Sequence, residues 1–244
     1  MPVTRITIVL ALLLSSAPAF AQSTPPERVA ITLGAAYPAS TTTFTQTTSF
    51  EAYAETGSLT TTYAIPQKVR FDVAGVVRLW HGLGVGIAAS TLDGTAPAAI
   101  TGQIPHPINV NQPRALTGTA DAWHSESAIH LQAAYWFRVT PRIDIIVTGG
   151  PSRIKVQQDF VSDVSYSQTF PYDTVTFESA TLTREEKTVT GANVGADVGV
   201  RLLAHIGAAG FVRYSRATAD FPDSGVAAFR VGTFDVGGGI RLAF

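Results

Sequence analysis

The chain has 244 residues, with Lys+Arg 17 against Asp+Glu 18 and only 14% charged residues, where an average soluble protein has about 25%. That balance excludes a basic nucleic-acid binder, and the lack of any cysteine excludes a disulfide framework, thiolate zinc and cysteine catalysis. With 45% apolar residues and 21 Gly, the composition suits a β protein in an apolar setting.

Residues 1–21 read as an export signal. Arg5 supplies the positive start, Ile6 to Leu14 is an apolar run broken only by Thr7, and Ala19-Phe20-Ala21 fits the cleavage pattern, leaving Gln22 as the mature N-terminus. The run is too short for a hydrocarbon core about 30 Å thick. No cysteine follows the cleavage site, which excludes a lipoprotein.

From residue 27 onward the apolar period is two, the mark of strands. Eight segments follow in order. Arg28–Tyr37 alternates through Val29, Ile31 and Leu33, and Lys68–Trp80 sets Val69, Phe71 and Val73 against Arg70 and Asp72. Leu83–Thr91 sets Val85 and Ile87 against Gly84 and Gly86. Trp123–Val139 sets Ile129, Leu131, Tyr135 and Phe137 against His130, Gln132 and Trp136. Arg142–Val156 is expected to break or bulge at Pro151. Lys187–Leu203 alternates cleanly, and Ala208–Arg216 and Ala228–Phe244 complete the set.

The connections alternate in length. Trp80-His81-Gly82, Thr140-Pro141 and Ala204–Gly207 are tight turns; residues 38–67, 92–122, 157–186 and 217–227 are long. In an up-and-down barrel this places short periplasmic turns at one end and long extracellular loops at the other. Loops 41–62 and 157–186, rich in Thr and aromatics, read as hairpins extending the barrel. Loop 92–122, with Pro97, Pro105, Pro107 and Pro113, reads as irregular.

Alternation alone does not say which face is inside, since a soluble lipocalin-like barrel puts its apolar face inward. The polar face here carries Arg70, Asp72, Arg78, Arg138, Asp144, Asp197, Arg201, Arg213, Asp235 and Arg241. An eight-stranded interior is just wide enough for side chains, and Arg on a lipid face costs about 2–4 kcal/mol at the midplane. These ten charges are therefore expected to fill the lumen as ion pairs, with a modest positive excess. The expected partners are Asp197 with Arg213 or Arg201, Asp235 with Arg213 or Arg241, and Asp144 with Arg138 or Arg201. Tyr135, Phe137 and Phe244 at the turn end, and Tyr37, Trp123 and Tyr214 at the loop end, read as interfacial girdles.

The export signal, the alternating strands and the terminal Ile240-Arg241-Leu242-Ala243-Phe244 resemble the small outer-membrane β-barrel proteins of Gram-negative bacteria. The nearest shapes are the OmpA-type transmembrane domain and the OmpX and OmpW groups. The resemblance implies an all-β fold: an eight-stranded antiparallel up-and-down transmembrane barrel over 22–244. It implies an outer-membrane location among outer-membrane lipids, and a monomer. Ile240, Leu242 and Phe244 resemble the signal shown to the barrel-assembly machinery. The implied role is structural or surface-interacting, without cofactor, metal or nucleic acid. A narrow pore or transporter for small solutes is the alternative, followed by a lipid-modifying enzyme or a soluble lipocalin-like binder.

Two motifs are weighed and set aside. Gly84-Val85-Gly86-Ile87-Ala88-Ala89 matches a dinucleotide fingerprint but lies in a strand, where no helix dipole meets a pyrophosphate. His124-Ser125-Glu126-Ser127 has the residue types of a hydrolytic triad. On a strand, however, His124 and Glu126 share one face and both serines the other, which points to a polar lumen mouth.

Overall fold

The computed structural model describes residues 27–244; the segment expected to be an export signal lies outside them. Eleven strands form in chain order: β1 (Val29–Pro38), β2 (Thr43–Ala52), β3 (Glu55–Ala64), β4 (Arg70–Trp80), β5 (Leu83–Ile104), β6 (Arg114–Arg138), β7 (Ile143–Ser167), β8 (Thr176–Arg201), β9 (Ile206–Phe221), β10 (Val226–Val231) and β11 (Phe234–Ala243). Eight of them, β1, β4, β5, β6, β7, β8, β9 and β11, close a hydrogen-bonded ring. Every pairing in the ring is antiparallel, and β1 meets β11 without a register shift from Ala30↔Ala243 to Pro38↔Asp235. Closure removes the free edge that hydrocarbon would penalise.

The turns follow from local chemistry. His81 and Gly82 have φ of 46° and 92°, the two-residue geometry that matches the twist of a hairpin. Between β6 and β7, Thr140 Oγ1 accepts from the N–H groups of Arg142 and Ile143 at 3.2 and 2.9 Å.

The long connections are largely strand. β2 and β3 form the hairpin expected over 41–62, and β7 and β8 remain paired from the turn end up to Ser167↔Thr176. The 92–122 segment is not irregular: β5 runs to Ile104 and β6 starts at Arg114, in continuous register. Pro97 is tolerated because it lies where β5 has left β4, after Thr91, and has not yet met β3, at Ala98. Its missing N–H breaks no rung on that side. The other three prolines flank the tip. Segment 217–227 is likewise short of a loop, with β9 reaching Phe221 and a 3-10 turn at Pro222–Ser224 before β10.

Two further expectations need correction. Pro151 neither interrupts nor bulges β7: the Pro151↔Ala192 rung to β8 is kept, and only the rungs between Gly150-Pro151 and β6 are lost. Asn193 Nδ2 donates to the Gly150 carbonyl at 2.9 Å, supplying a partner where the ladder is missing. The eighth segment is not one strand either. It divides at Gly232-Thr233 into β10, paired only with β9, and β11, paired with β9 and β1.

Inside–outside parity is kept along the strands up to the register shifts of β7 and β8 at Val161/Asp163 and Ser165/Tyr166, while hydropathy inverts. In the half nearest the turns the exposed residues are apolar, among them Val73, Ile87, Ile129, Leu131, Val198 and Ile240. Higher up, the apolar residues turn inward: Phe44, Tyr63, Ile100, Leu116, Phe160, Phe221 and Phe229 form one buried cluster. Above the ring, therefore, the extended strands build a cap with an ordinary hydrophobic core. Phe44 stacks on Phe229 at 4.3 Å between ring centroids, which holds β2 against β10 although no ladder joins them.

Candidate functional site

The lumen beneath the cap is filled by side chains in three tiers. At the turn end, Glu27 ion-pairs with Arg201 and lies 3.7 Å from Arg138. Arg241 Nη1 donates to Asp144 Oδ1 at 2.7 Å, and its Nη2 stands 3.8 Å from Asp197. Trp136 Nε1 donates to the other Asp144 oxygen at 2.8 Å, and Arg78 lies over the Trp136 ring at 5.3 Å. Gly199 makes room for this tier, since a Cβ there would come within 2.3 Å of both Arg241 Nη1 and Asp144 Oδ1.

In the middle tier Arg213 pairs with Asp72. Gln132 Nε2 donates to Asn193 Oδ1 at 2.7 Å, and Asn193 Nδ2 reaches Ser152, which also meets His130 Nδ1 at 2.7 Å. In the upper tier Arg70 lies 2.9 Å from Glu126 and 3.4 Å from Asp235. His124 joins Glu126 at 3.3 Å and Gln158 at 2.7 Å, and Thr233 donates to Asp235 at 2.7 Å.

Of the ten charges read from the sequence, Arg70, Asp72, Asp197, Arg213, Asp235 and Arg241 are fully buried; Arg78, Asp144 and Arg201 are half-buried, and Arg138 is exposed at the turn-end rim. The pairings differ from those expected. Asp197 and Asp144 share Arg241, Asp235 takes Arg70, and Arg213 takes Asp72. Strand tilt and stagger decide which inward residues meet, and a strand-by-strand reading does not contain them. The expected positive excess is also corrected. Glu27 and Glu126 join the set, so six Arg face four Asp and two Glu. Glu27 precedes the first strand and carries no parity signal, whereas Glu126 shows the same inward parity as His130.

Ile240 and Phe244 point outward and are more than half exposed, with Leu242 half-buried between them. Tyr37 and Tyr214 stand at the upper edge of the outer apolar face. Trp123 does not belong to that girdle: it is half-buried in the cap wall, with Arg184 over its ring at 4.0 Å. Ser125 and Ser127 face away from His124 and Glu126, as the strand parity requires.

The cap has polar ties of its own. Tyr63 donates to Gln46 Oε1 at 2.5 Å and accepts from the Val161 N–H at 2.7 Å, which links β3, β2 and β7. Burial pushes the Tyr63 hydroxyl up to about 12, against a smaller opposing pull from the Val161 N–H. At the far tips, Arg114 donates to Gln168 at 2.6 Å and to the carbonyls of Tyr172 and Pro105. Gln168 donates to Tyr53, and the Asn111 N–H to Glu55, each at 2.7 Å. Three turn tips are thus fastened to one another. Around them Ile108, Val110 and Phe170 are 63%, 71% and 78% exposed.

The sequence matches no protein family and no curated protein. The fold does have solved counterparts. The outer membrane protease OmpT from Escherichia coli aligns with a TM-score of 0.50 at 9% identity, over 92% of this chain and 99% of that one. The outer membrane protein OprG from Pseudomonas aeruginosa aligns at 0.47 and 10% identity, over 89% and 96%. Ail, the attachment invasion locus protein of Yersinia pestis, aligns at 0.39 and 12% identity, over 88% and 99%. Closed ring, outward apolar belt and charged lumen together give this chain the fold of a small Gram-negative outer-membrane β-barrel.

Proposed function

We propose that the protein is a monomeric outer-membrane barrel with a structural or surface-interaction role, its turns periplasmic and its cap extracellular. The observation that carries this reading is the inversion of hydropathy along unbroken strands. A bilayer accounts for the lower half, with its apolar exterior and charged interior, and water accounts for the upper half. The apolar exterior is the reverse of a lipocalin-like barrel, whose apolar face lines the inside.

The same geometry supports a non-conducting, non-catalytic role. Ion pairs occupy the lumen through its depth, and the cluster of Phe44, Tyr63, Phe160, Phe221 and Phe229 lies over it. His124 and Glu126, the hydrolytic candidates, are each 1% exposed and engaged with Gln158 and Arg70. Planar-bilayer recording of the pure protein tests this: no steady conductance is expected, and a stable open level would replace the plugged barrel with a pore. Fractionation tests the location, with recovery in the outer membrane and heat-modifiable migration expected. Soluble periplasmic recovery would overturn it. Ile240, Leu242 and Phe244 serve in this reading as the assembly signal, so Phe244→Asp lowers outer-membrane levels while export continues. Unchanged levels would remove the signal from the proposal.

A further inference from the structure

The outer surface just above the apolar belt is not electrically uniform. Three cations there have an acidic neighbour: Lys155 lies 2.8 Å from Glu186, Lys187 3.6 Å from Asp220 and Arg184 2.7 Å from Asp159. Arg153, Arg216 and Arg230 are exposed and, among the described residues, have no carboxylate within 4 Å. The three lie on one side of the barrel. Arg153 is cross-strand to Thr190, and Arg216 to Ala192 two residues along β8. Arg230 is cross-strand to Thr218 on β9.

What lies below Arg216 and Arg230 is apolar and aromatic, and Arg153 stands beside the exposed Ile129. Tyr214 and Phe234 are cross-strand partners, 41% and 42% exposed, and Val194 pairs with Tyr214 on the other side. A groove beside this pair is lined by Thr41, Thr43, Thr45, Arg216 and Arg230. Unpaired guanidinium groups thus stand one step above an aromatic rim and an acyl-compatible wall. Guanidinium groups match phosphate oxygens two at a time, and Tyr favours the headgroup level.

We propose that Arg153, Arg216 and Arg230 hold the phosphate of an outer-leaflet glycolipid of the lipid A type, with its acyl chains along Val194, Val212 and Tyr214. The inference rests on the membrane-barrel reading above. It goes beyond that reading by assigning one lipid class to one side of the barrel. Lys68, an exposed cation on the β3–β4 connection across the barrel, takes no part.

The test uses the full protein in phosphatidylcholine nanodiscs doped with lipid A carrying two phosphates, or with lipid A stripped of phosphate. Lipid retained after extraction is counted by native mass spectrometry. Retention of the phosphorylated lipid alone is expected, and millimolar inorganic phosphate is not expected to displace it. Each surface cation contributes about fivefold to anionic-lipid attraction, so the triple variant R153Q/R216Q/R230Q should retain about a hundredfold less, while K68Q retains as much as the parent. Equal retention by the triple variant, equal retention of phosphate-free lipid, equal loss in K68Q, or displacement by inorganic phosphate would each overturn the proposal. A protein that enters the nanodisc but shows no lipid preference overturns only this proposal. A protein that never enters the bilayer overturns the membrane reading itself.

Discussion

The ring strands run on from the lumen into the cap, where β2, β3 and β10 join them, yet lumen and cap are opposite solids. Below, Asp72, Arg213 and Arg241 are packed inside and Val198 and Ile129 face out; above, Phe160 and Ile154 are inside and Arg153 and Lys155 face out. The difference teaches that a strand's alternation specifies two faces but not which is the core. The surroundings decide that, bilayer for one half and water for the other. Each half also has its own failure mode. An unpaired charge is the costly defect in the lumen, and a void is the costly defect in the cap.

The largest effect is expected from separating a lumen pair. Glu126→Ala leaves Arg70 with only the more distant Asp235, and losing one partner of a buried pair costs about 3–5 kcal/mol. Urea unfolding of the detergent-folded barrel should show this as a lowered midpoint. Asp197→Ala should likewise exceed Asp173→Ala, a change in an exposed turn. Next comes Phe160→Ala, which removes a ring that contacts Phe44, Tyr63 and Phe221. Large-to-small aromatic changes cost about 3–5 kcal/mol, but here the loss should stay local. Proteolysis at the loop end should rise while the heat-modifiable barrel band persists; loss of both together would mean that the halves do not fail separately.

A smaller effect should follow pH. Tyr63 in the folded cap ionises only at about 12, above the ordinary value near 10. Its contribution is therefore fully present below pH 10 and is lost as pH rises from there through the folded value. Loop-end protease sensitivity should increase over that window in the parent and lose this component in Tyr63→Phe. The smallest effect belongs to Glu186→Gln. Lys155 and Gln157 hold the Glu186 carboxylate below its usual range, but the group is fully exposed. No measurable change in the urea midpoint is expected, with or without added salt.

How far the molecule could be read in advance follows the same division. The ring, its turns and the inward parity of the lumen charges were legible because a period of two is a local property of the chain. Partner choice was not legible, since Asp72 meets Arg213 across 141 positions of sequence through a stagger that no single strand encodes. Glu27 precedes the first strand, so no alternation marks it as inward. Gly118 is a similar case in the cap: a Cβ there would come within 2.4 Å of the Phe177 ring, which folds over it from β8. Nothing in the neighbourhood of residue 118 announces that visitor. Pro97 signals a loop by residue type alone, but a proline is tolerated in a strand wherever no neighbouring strand needs its N–H, and that depends on pairing remote in sequence.

The fastening of the three tips by Arg114, Gln168, Tyr53 and Glu55 has a thermodynamic corollary for recognition. Fixing the backbone of a free loop costs about 1–2 kcal/mol per residue, and a partner that must impose that order loses affinity by the same amount. Here the order is already set during folding, so Ile108, Val110 and Phe170 are presented as a rigid relief rather than as a mobile fringe. Association at such a surface is governed by fit more than by adaptation: a complementary partner can bind over a small area, and a mismatched one finds little give.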